Sequence, residues 1–170
     1  MISIDPLIRR KIRLTEYDYS QPNAYFITIC TKNRKKLFWS DLDRNICSNQ
    51  DIVLSAYGSI VEQVIHDIPH YYPAIHIDHY VIMPDHIHIL LSLRTDSSGR
   101  PQVATTISTV IQQIKGIVSK RAGFSLWQKG FYDHIIRGEK DYQDIWEYID
   151  NNPVKWAENR RLGDQWSPLH

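Results

Sequence analysis

Two apolar runs separated by a proline constrain this chain more than any other feature. His76-Ile77-Asp78-His79-Tyr80-Val81-Ile82-Met83 and His86-Ile87-His88-Ile89-Leu90-Leu91 flank Pro84-Asp85. Aliphatic, β-branched and aromatic residues fill both runs, and Pro-Asp between them is a turn signal. The stretch reads as a β-hairpin, with one strand over 74–83, a tight turn, and a returning strand over 87–93. Residues two apart in a strand point to the same face. With a two-residue loop, Met83 pairs with His86 and Val81 with His88. One face then carries His86, His88 and His79. The other carries Ile82, Ile87, Ile89 and Leu91, which is a core face. Two imidazoles side by side in so apolar a run ask for a chemical reason, and a divalent-metal site is the one their spacing suits.

Size and composition narrow the classes. The chain has 170 residues, enough for one domain with a real core. Charges or prolines interrupt every apolar run, so no membrane span is expected. The start, Met1-Ile2-Ser3-Ile4-Asp5-Pro6, lacks the basic and apolar regions of a signal peptide. Cys30 and Cys47 have no metal-type spacing and suit a reducing compartment, so the expected location is cytoplasmic. A net charge of +1 does not announce a nucleic-acid binder, but the basic residues cluster. Arg9, Arg10, Lys11 and Arg13 form one group, and Lys32, Arg34, Lys35 and Lys36 another. Lys115, Lys120, Arg121 and Lys129 follow, then Lys155, Arg160 and Arg161. Tyr17, Tyr19, Phe38, Trp39, Trp127, Phe131 and Tyr132 sit near them. Basic clusters beside aromatics can hold phosphates and stack unpaired bases, although a single cluster is more often a solvated loop or helix end.

Three domain segments are expected: a basic arm over 1–22, a catalytic domain over 23–156, and a tail over 157–170. Ala24–Thr31 reads as a strand, Lys36–Trp39 as a possible short strand, and 40–54 is ambiguous. Ser55–His70 shows helical spacing through Ile60, Val64 and Ile68, with Pro69 and Pro73 marking its end. Thr105–Ala122 is a second amphipathic helix, carrying Ile107, Val110, Ile111, Ile114, Ile117 and Val118, and Gly123 stops it. A strand follows through Asp133–Arg137. Lys140–Asn152 is a third helix that Pro153 discourages from continuing, leaving 154–170 mostly irregular. The order β, α, β-hairpin, α, β is that of an α+β, ferredoxin-like split βαβ sandwich. Its antiparallel sheet has two helices on one face and an additional C-terminal helix.

That last helix offers a partner for the histidines. Asp144, Tyr148 and Asn152 are four apart and share a face, with Ile145 and Ile149 as the adjoining apolar stripe. An amide oxygen can ligate a hard cation, and a phenol can attack a phosphorus held by that cation. Two imidazoles are an incomplete ligand set, and ligand chemistry alone favours Zn or Mn over Mg. His134, whose neighbour Asp133 points to the opposite face, is as well read as a satisfied structural residue as a member of the site. Two rival readings are a hairpin-binding module that does not cut, and a small hydrolase holding Zn through His79, His86 and His88.

Four motifs in order then point to one family. Met83-Pro84-Asp85-His86-Ile87-His88-Ile89-Leu90-Leu91 resembles the HUH metal motif of single-tyrosine transposases. Tyr148-Ile149-Asp150-Asn151-Asn152-Pro153 resembles their nucleophile helix. Arg13-Leu14-Thr15-Glu16-Tyr17-Asp18-Tyr19 leading into Tyr25–Thr31, and Trp127–Arg137, resemble segments of the REP-associated tyrosine transposases. The resemblance spans roughly 9–156. It departs from the family pattern at Asp85, where Asn is usual; in a turn Asp substitutes readily.

The resemblance implies a transposase that cuts and rejoins single-stranded DNA next to a hairpin, as a REP-like element or insertion-sequence end would supply. It implies Tyr148 as the nucleophile, leaving a 5′-phosphotyrosine and a free 3′-OH. His86, His88 and Asn152 would hold Mg2+ or Mn2+, with His134 or water as proton acceptor. The DNA-contacting residues expected from the basic clusters are Arg9, Arg10, Lys11, Arg13, Lys32, Arg34, Lys35, Lys36, Lys115 and Arg121. Both monomers and helix-exchanging homodimers suit the family.

Overall fold

A computed structural model of the protein describes residues 24–94 and 106–162. Arg9, Arg10, Lys11 and Arg13, with the arm expected over 1–22, lie outside the described residues.

Four strands and three α-helices follow one another as β1 (Ala24–Cys30), α1 (Ala56–Tyr71), β2 (Ile75–Ile82), β3 (His86–Leu93), α2 (Ile107–Ala122), β4 (Tyr132–Ile135) and α3 (Glu139–Arg161). The strands form one sheet in the order β2-β3-β1-β4, and every neighbouring pair is antiparallel. This is the split βαβ arrangement expected from the sequence. Each half places a strand between two others that a helix connects.

The hairpin register is the expected one. Val81 pairs with His88 and Ile82 with Ile87, and the Met83 amide donates to the His86 carbonyl at 2.8 Å. A register shift between Ile77 and His79 marks a bulge at Asp78, and His79 then pairs with Leu90. Tyr25, Ile27 and Ile29 of β1, with Ile87, Ile89 and Leu91 of β3, are fully buried. They form the core face, which α1 and α2 cover. α1 contributes Val61, Val64, Ile65 and Ile68. Its buried stripe sits one position away from the expected Ile60, which is only half-buried. α2 contributes Ile107, Val110, Ile111, Ile114 and Val118. It begins at a Thr106 N-cap and stops at Gly123, whose φ of 87° is the left-handed C-cap conformation.

Three expectations about element limits are corrected. α1 runs through Pro69 to Tyr71, and β4 is shorter and earlier than Asp133–Arg137. Lys36–Trp39 forms no strand beyond one bridge, Trp39 to Leu54; instead the Leu37 and Phe38 amides donate to the Pro84 carbonyl at 2.8 and 3.0 Å.

The largest correction concerns α3, which passes Pro153 and ends at Arg161, so 154–161 is helix. The hydrogen bond that Pro153 removes is outweighed by packing at the far end. Trp156 meets Trp39 edge-on at 5.0 Å. Arg160 reaches the Leu42 carbonyl at 3.0 Å and the Asp43 carboxylate at 2.6 Å.

Candidate active site

The polar face of the sheet is assembled from alternate residues of β1 and β3. Cys30 pairs with His86, Thr28 with His88, and Phe26 with Leu90. α3 crosses this face. The Tyr148 ring lies 5.4 Å from that of His88 at 62°, and 5.8 Å from Phe26, edge to face. Phe26 in turn stacks on His88 at 5.1 Å. The helix lands here because Ile145 and Ile149, both fully buried, flank Tyr148 on its inner side.

The two histidines are buried, at 9% and 2% exposure, and their Nε2 atoms converge to 3.1 Å. Their outer nitrogens are engaged: His86 Nδ1 with Asp85 Oδ1 at 2.6 Å, His88 Nδ1 with the Thr28 hydroxyl at 2.8 Å. The second Asp85 oxygen faces the Arg34 Nε at 3.2 Å, and Arg34 also donates to the Cys30 sulfur at 2.7 Å. Burial pulls both imidazoles below the ordinary histidine value, for His88 well below it. The charge on Arg34 adds to the effect at both rings. They are therefore neutral near pH 7, the form that binds metal. Burial pushes the Asp85 carboxyl up, but its hydrogen bond from His86 and the charges of His86 and Arg34 bring it below the usual value. Since His86 is neutral near pH 7, the standing charge beside Asp85 is that of Arg34.

This donor set fits a divalent cation. Two imidazole nitrogens bound in adjacent positions on one cation, each at about 2.1 Å, stand roughly 3 Å apart. Rings oriented by bonds from their outer nitrogens are what metal ligation uses. Among the described residues no third His, Cys, Asp or Glu gathers with them. Asn152, half-buried on α3, hydrogen-bonds the Tyr148 phenol. Burial raises the phenol's pKa, and that bond and the Arg34 charge work against the rise.

The other expected site residues are distributed more widely. His79 shares the histidine face but turns to α3, its Nε2 donating to the Asp150 carboxylate at 2.7 Å and its ring stacking on Trp146. His134, across from Phe26, is bonded to Asp141 at 2.8 Å, and Asp141 also accepts from the Arg137 amide. Its partner is thus the first turn of α3 and not Tyr148. Asp144 is taken by Lys140 at 2.8 Å.

Among the basic residues, Lys32, Lys35 and Lys36 are exposed on the segment that crosses the Pro84-Asp85 turn, beside the histidines. Lys115 instead spends its ammonium on the Gln128 and Gly130 carbonyls. Arg121 pairs with Asp67 of α1 at 3.6 Å, in the helical layer on the opposite face. The role of Thr28 had no signal beyond its alternation with Phe26 and Cys30 in the first strand. The Arg34–Asp85 pair was hidden because 50 residues of chain intervene and only the fold brings the two together.

A family model described as IS200-like transposase matches residues 20–152. An uncharacterized protein of Haemophilus influenzae is 36% identical over 92% of this chain and 94% of its own length. A REP-associated tyrosine transposase of Escherichia coli K12 is 30% identical over 52% of this chain and 50% of its own. A REP-associated tyrosine transposase solved bound to a REP hairpin superposes with a TM-score of 0.63 at 24% identity, over 86% of this chain and 76% of that one; at that identity the likeness speaks for the fold. None of the helices among the described residues is long and apolar enough to cross a membrane. The chain belongs to the IS200-like transposase family, with REP-associated tyrosine transposases among its relatives.

Proposed function

We propose that this protein is a divalent-metal-dependent nuclease and strand transferase that acts on single-stranded DNA beside a hairpin. The observation that carries the reading is the crossing of α3 over the histidine face, which sets the Tyr148 ring against His88. His86, His88 and Asn152 are the residues that would hold Mg2+ or Mn2+. When bound, such a cation polarises the scissile phosphate and stabilises charge on the leaving oxygen.

Tyr148 is the nucleophile. Its hydroxyl oxygen attacks the phosphorus, the bond from phosphorus to the 3′ oxygen breaks, and a 5′-phosphotyrosine and a free 3′-OH result. The phenol loses its proton during attack and the 3′ oxygen gains one; with His134 paired to Asp141, both exchanges are assigned to water. Burial makes a standing phenolate scarce, and the Arg34 charge and the Asn152 amide favour the ionised oxygen. One amide can serve two ends, its nitrogen toward the phenol and its oxygen toward the cation. The phosphotyrosine retains the energy of the phosphodiester, so a second 3′-OH can reverse the step and join a new strand without ATP.

Lys32, Lys35 and Lys36 are assigned to the DNA backbone; Lys115 holds the Gln128 and Gly130 carbonyls and Arg121 faces Asp67, so the assignment is not extended to them. The hairpin as recognised object is supported by the relative solved on a REP hairpin. Cys30 and Cys47 are free thiols, in keeping with action in the cytoplasm. Incubation with hairpin-bearing single-stranded DNA and Mg2+ tests the reading. A protein–DNA adduct that survives a denaturing gel, and that disappears in folded Tyr148→Phe and His86→Ala, is expected. An adduct undiminished in Tyr148→Phe contradicts it.

A further inference from the structure

About two turns beyond Tyr148, α3 carries another aromatic ring, Trp156. It is half-buried, and Trp39 meets it edge-on at 5.0 Å. Lys36 Nζ stands 5.7 Å and the Arg160 guanidinium carbon 5.5 Å from the centre of its ring. Arg160 has anchors besides the ring, Asp43 and the Leu42 carbonyl. Lys36 does not. Among the described residues, no carboxylate lies within ion-pair distance of Lys32, Lys35, Lys36 or Lys155, and all four are exposed. Other cations do have acidic partners, Lys140 on Asp144 and Arg121 on Asp67. Lysines without a carboxylate, one of them resting on an indole, keep their charge available to an anion from outside.

The group is connected to the tyrosine along the helix. Asn152, Lys155 and Asn159 follow Tyr148 at spacings of four, three and four, so one polar stripe of α3 leads from the phenol toward this end. By helical rise Trp156 lies about 12 Å beyond Tyr148, the reach of a few unpaired nucleotides. The segment that carries Lys36 is tied to the hairpin turn. The Leu37 amide donates to the Pro84 carbonyl at 2.8 Å, and the Trp39 indole donates to the Ile82 carbonyl at 2.7 Å. Indole and lysines are thus held beside the turn that precedes His86.

We propose that Trp156 is the stacking seat for one unpaired base of the substrate strand, a few nucleotides from the bond that is cut, with Lys36 on the adjoining phosphate. This rests on the reading of Tyr148 as the nucleophile. The chemistry of the seat names its occupant. A nucleotide offers a π-face to the indole and a phosphate to the ammonium, so one unit satisfies both groups. A stacked base is held more strongly than an exposed ammonium over the same ring. The strand therefore displaces Lys36, a flexible side chain, and the freed ammonium takes the phosphate. Trp39, packed edge-on, and Arg160, fixed to Asp43, keep the indole in place, so the seat is preformed. It grips the face of a base and not its edge. It therefore selects a position along the strand, and not a sequence, and sets which phosphate meets Tyr148.

A hairpin DNA with single-stranded flanks, made abasic at one flank nucleotide at a time, tests this on the unaltered full chain. Binding is followed by fluorescence anisotropy without divalent metal, so that nothing is cut. One flank position is expected at which the missing base weakens binding about 10-fold. 5-Iodouracil at that position should photocrosslink to Trp156, as sequencing of the labelled peptide would show. In Trp156→Leu, its folding checked by circular dichroism, the same lesion should cost less than about 2-fold, and Trp156→Phe should keep most of the effect. Lys36→Gln should make the slope of log K against log salt shallower by about 0.7. A flat abasic scan, a crosslink to another residue, or a lesion penalty undiminished in folded Trp156→Leu overturns the seat, and an adduct at Tyr148 then leaves the nuclease standing. Wild type that forms no adduct with Mg2+ overturns the nuclease reading, and with it the placement of the seat relative to a cut.

Discussion

His79 of β2 and Asp150 of α3 are joined by a hydrogen bond of 2.7 Å between imidazole Nε2 and carboxylate. One turn earlier on the helix, Trp146 stacks on the same imidazole with ring centroids 4.3 Å apart and planes at 14°. These contacts hold the helix to the outer strand of the sheet while Tyr148, between them in sequence, faces the inner strands. Placement of the phenol is thus a property of how the helix is fastened.

Removing that fastening should therefore cost activity and stability together. Trp146→Ala is expected to lower folding stability by about 1–3 kcal/mol in urea unfolding. The yield of DNA adduct should fall in protein that is still folded, because the phenol loses its fixed approach.

α3 is fastened at both ends to its own chain, by Asp141 to His134 and by Arg160 to Asp43. Tyr148 should therefore serve the histidines of the same molecule. Mixing Tyr148→Phe with His86→Ala, each inactive alone, is expected to restore no adduct on a denaturing gel. Recovery toward about a quarter of the wild-type yield at equal total protein, one working site in each mixed dimer, would show that the helix is exchanged between molecules.

Gly58 lies in the first turn of α1, and a Cβ built there would meet the Phe38 carbonyl oxygen at 2.2 Å. That oxygen accepts from the Ser55 amide at 2.8 Å, so it cannot move aside cheaply. Gly58→Ala should destabilise the protein by about 1–3 kcal/mol despite the better helix propensity of Ala, as denaturant midpoints can measure.

The hairpin, its register and the shared face of His86 and His88 were legible because alternation is a local rule, and Pro84-Asp85 fixed the turn. The fold followed from element order. The end of α3 was not legible: Pro153 is a local stop signal, and what overrides it is Trp156 on Trp39 and Arg160 on Asp43, contacts between distant parts of the chain. The same holds at Lys115. As a sequence symbol it is one cation in a basic cluster, yet the fold points it at two carbonyls. His134 was open between structure and chemistry, and its bond to Asp141 favours structure. The phenol–amide pair of Tyr148 and Asn152 was readable from helical spacing, but its position over His88 needed the packing of Ile145 and Ile149.

Acid should weaken the protein through the buried rings. Burial holds His86 and His88 below the ordinary value of 6.5. Above that value neither folded nor unfolded chain protonates them. Below it the unfolded chain takes up protons that the folded chain refuses, so stability is lost as pH falls from about 6.5 toward the folded values. Asp85, whose carboxyl is held low in the fold, adds a loss of the same sign at still lower pH. The urea midpoint should be lower near pH 5.5 than near pH 7.5, and the difference should shrink in a folded His86→Asn/His88→Asn variant.

Mass spectrometry of the trapped adduct tests the central claim most directly. Protein incubated with hairpin-bearing single-stranded DNA and Mn2+ is digested with protease and nuclease, and the peptide carrying the nucleotide is sequenced. The account predicts a 5′-linked nucleotide on the phenolic oxygen of Tyr148. Attachment at any other residue, or DNA cut in a folded protein with Tyr148 unmodified throughout the reaction, would contradict it.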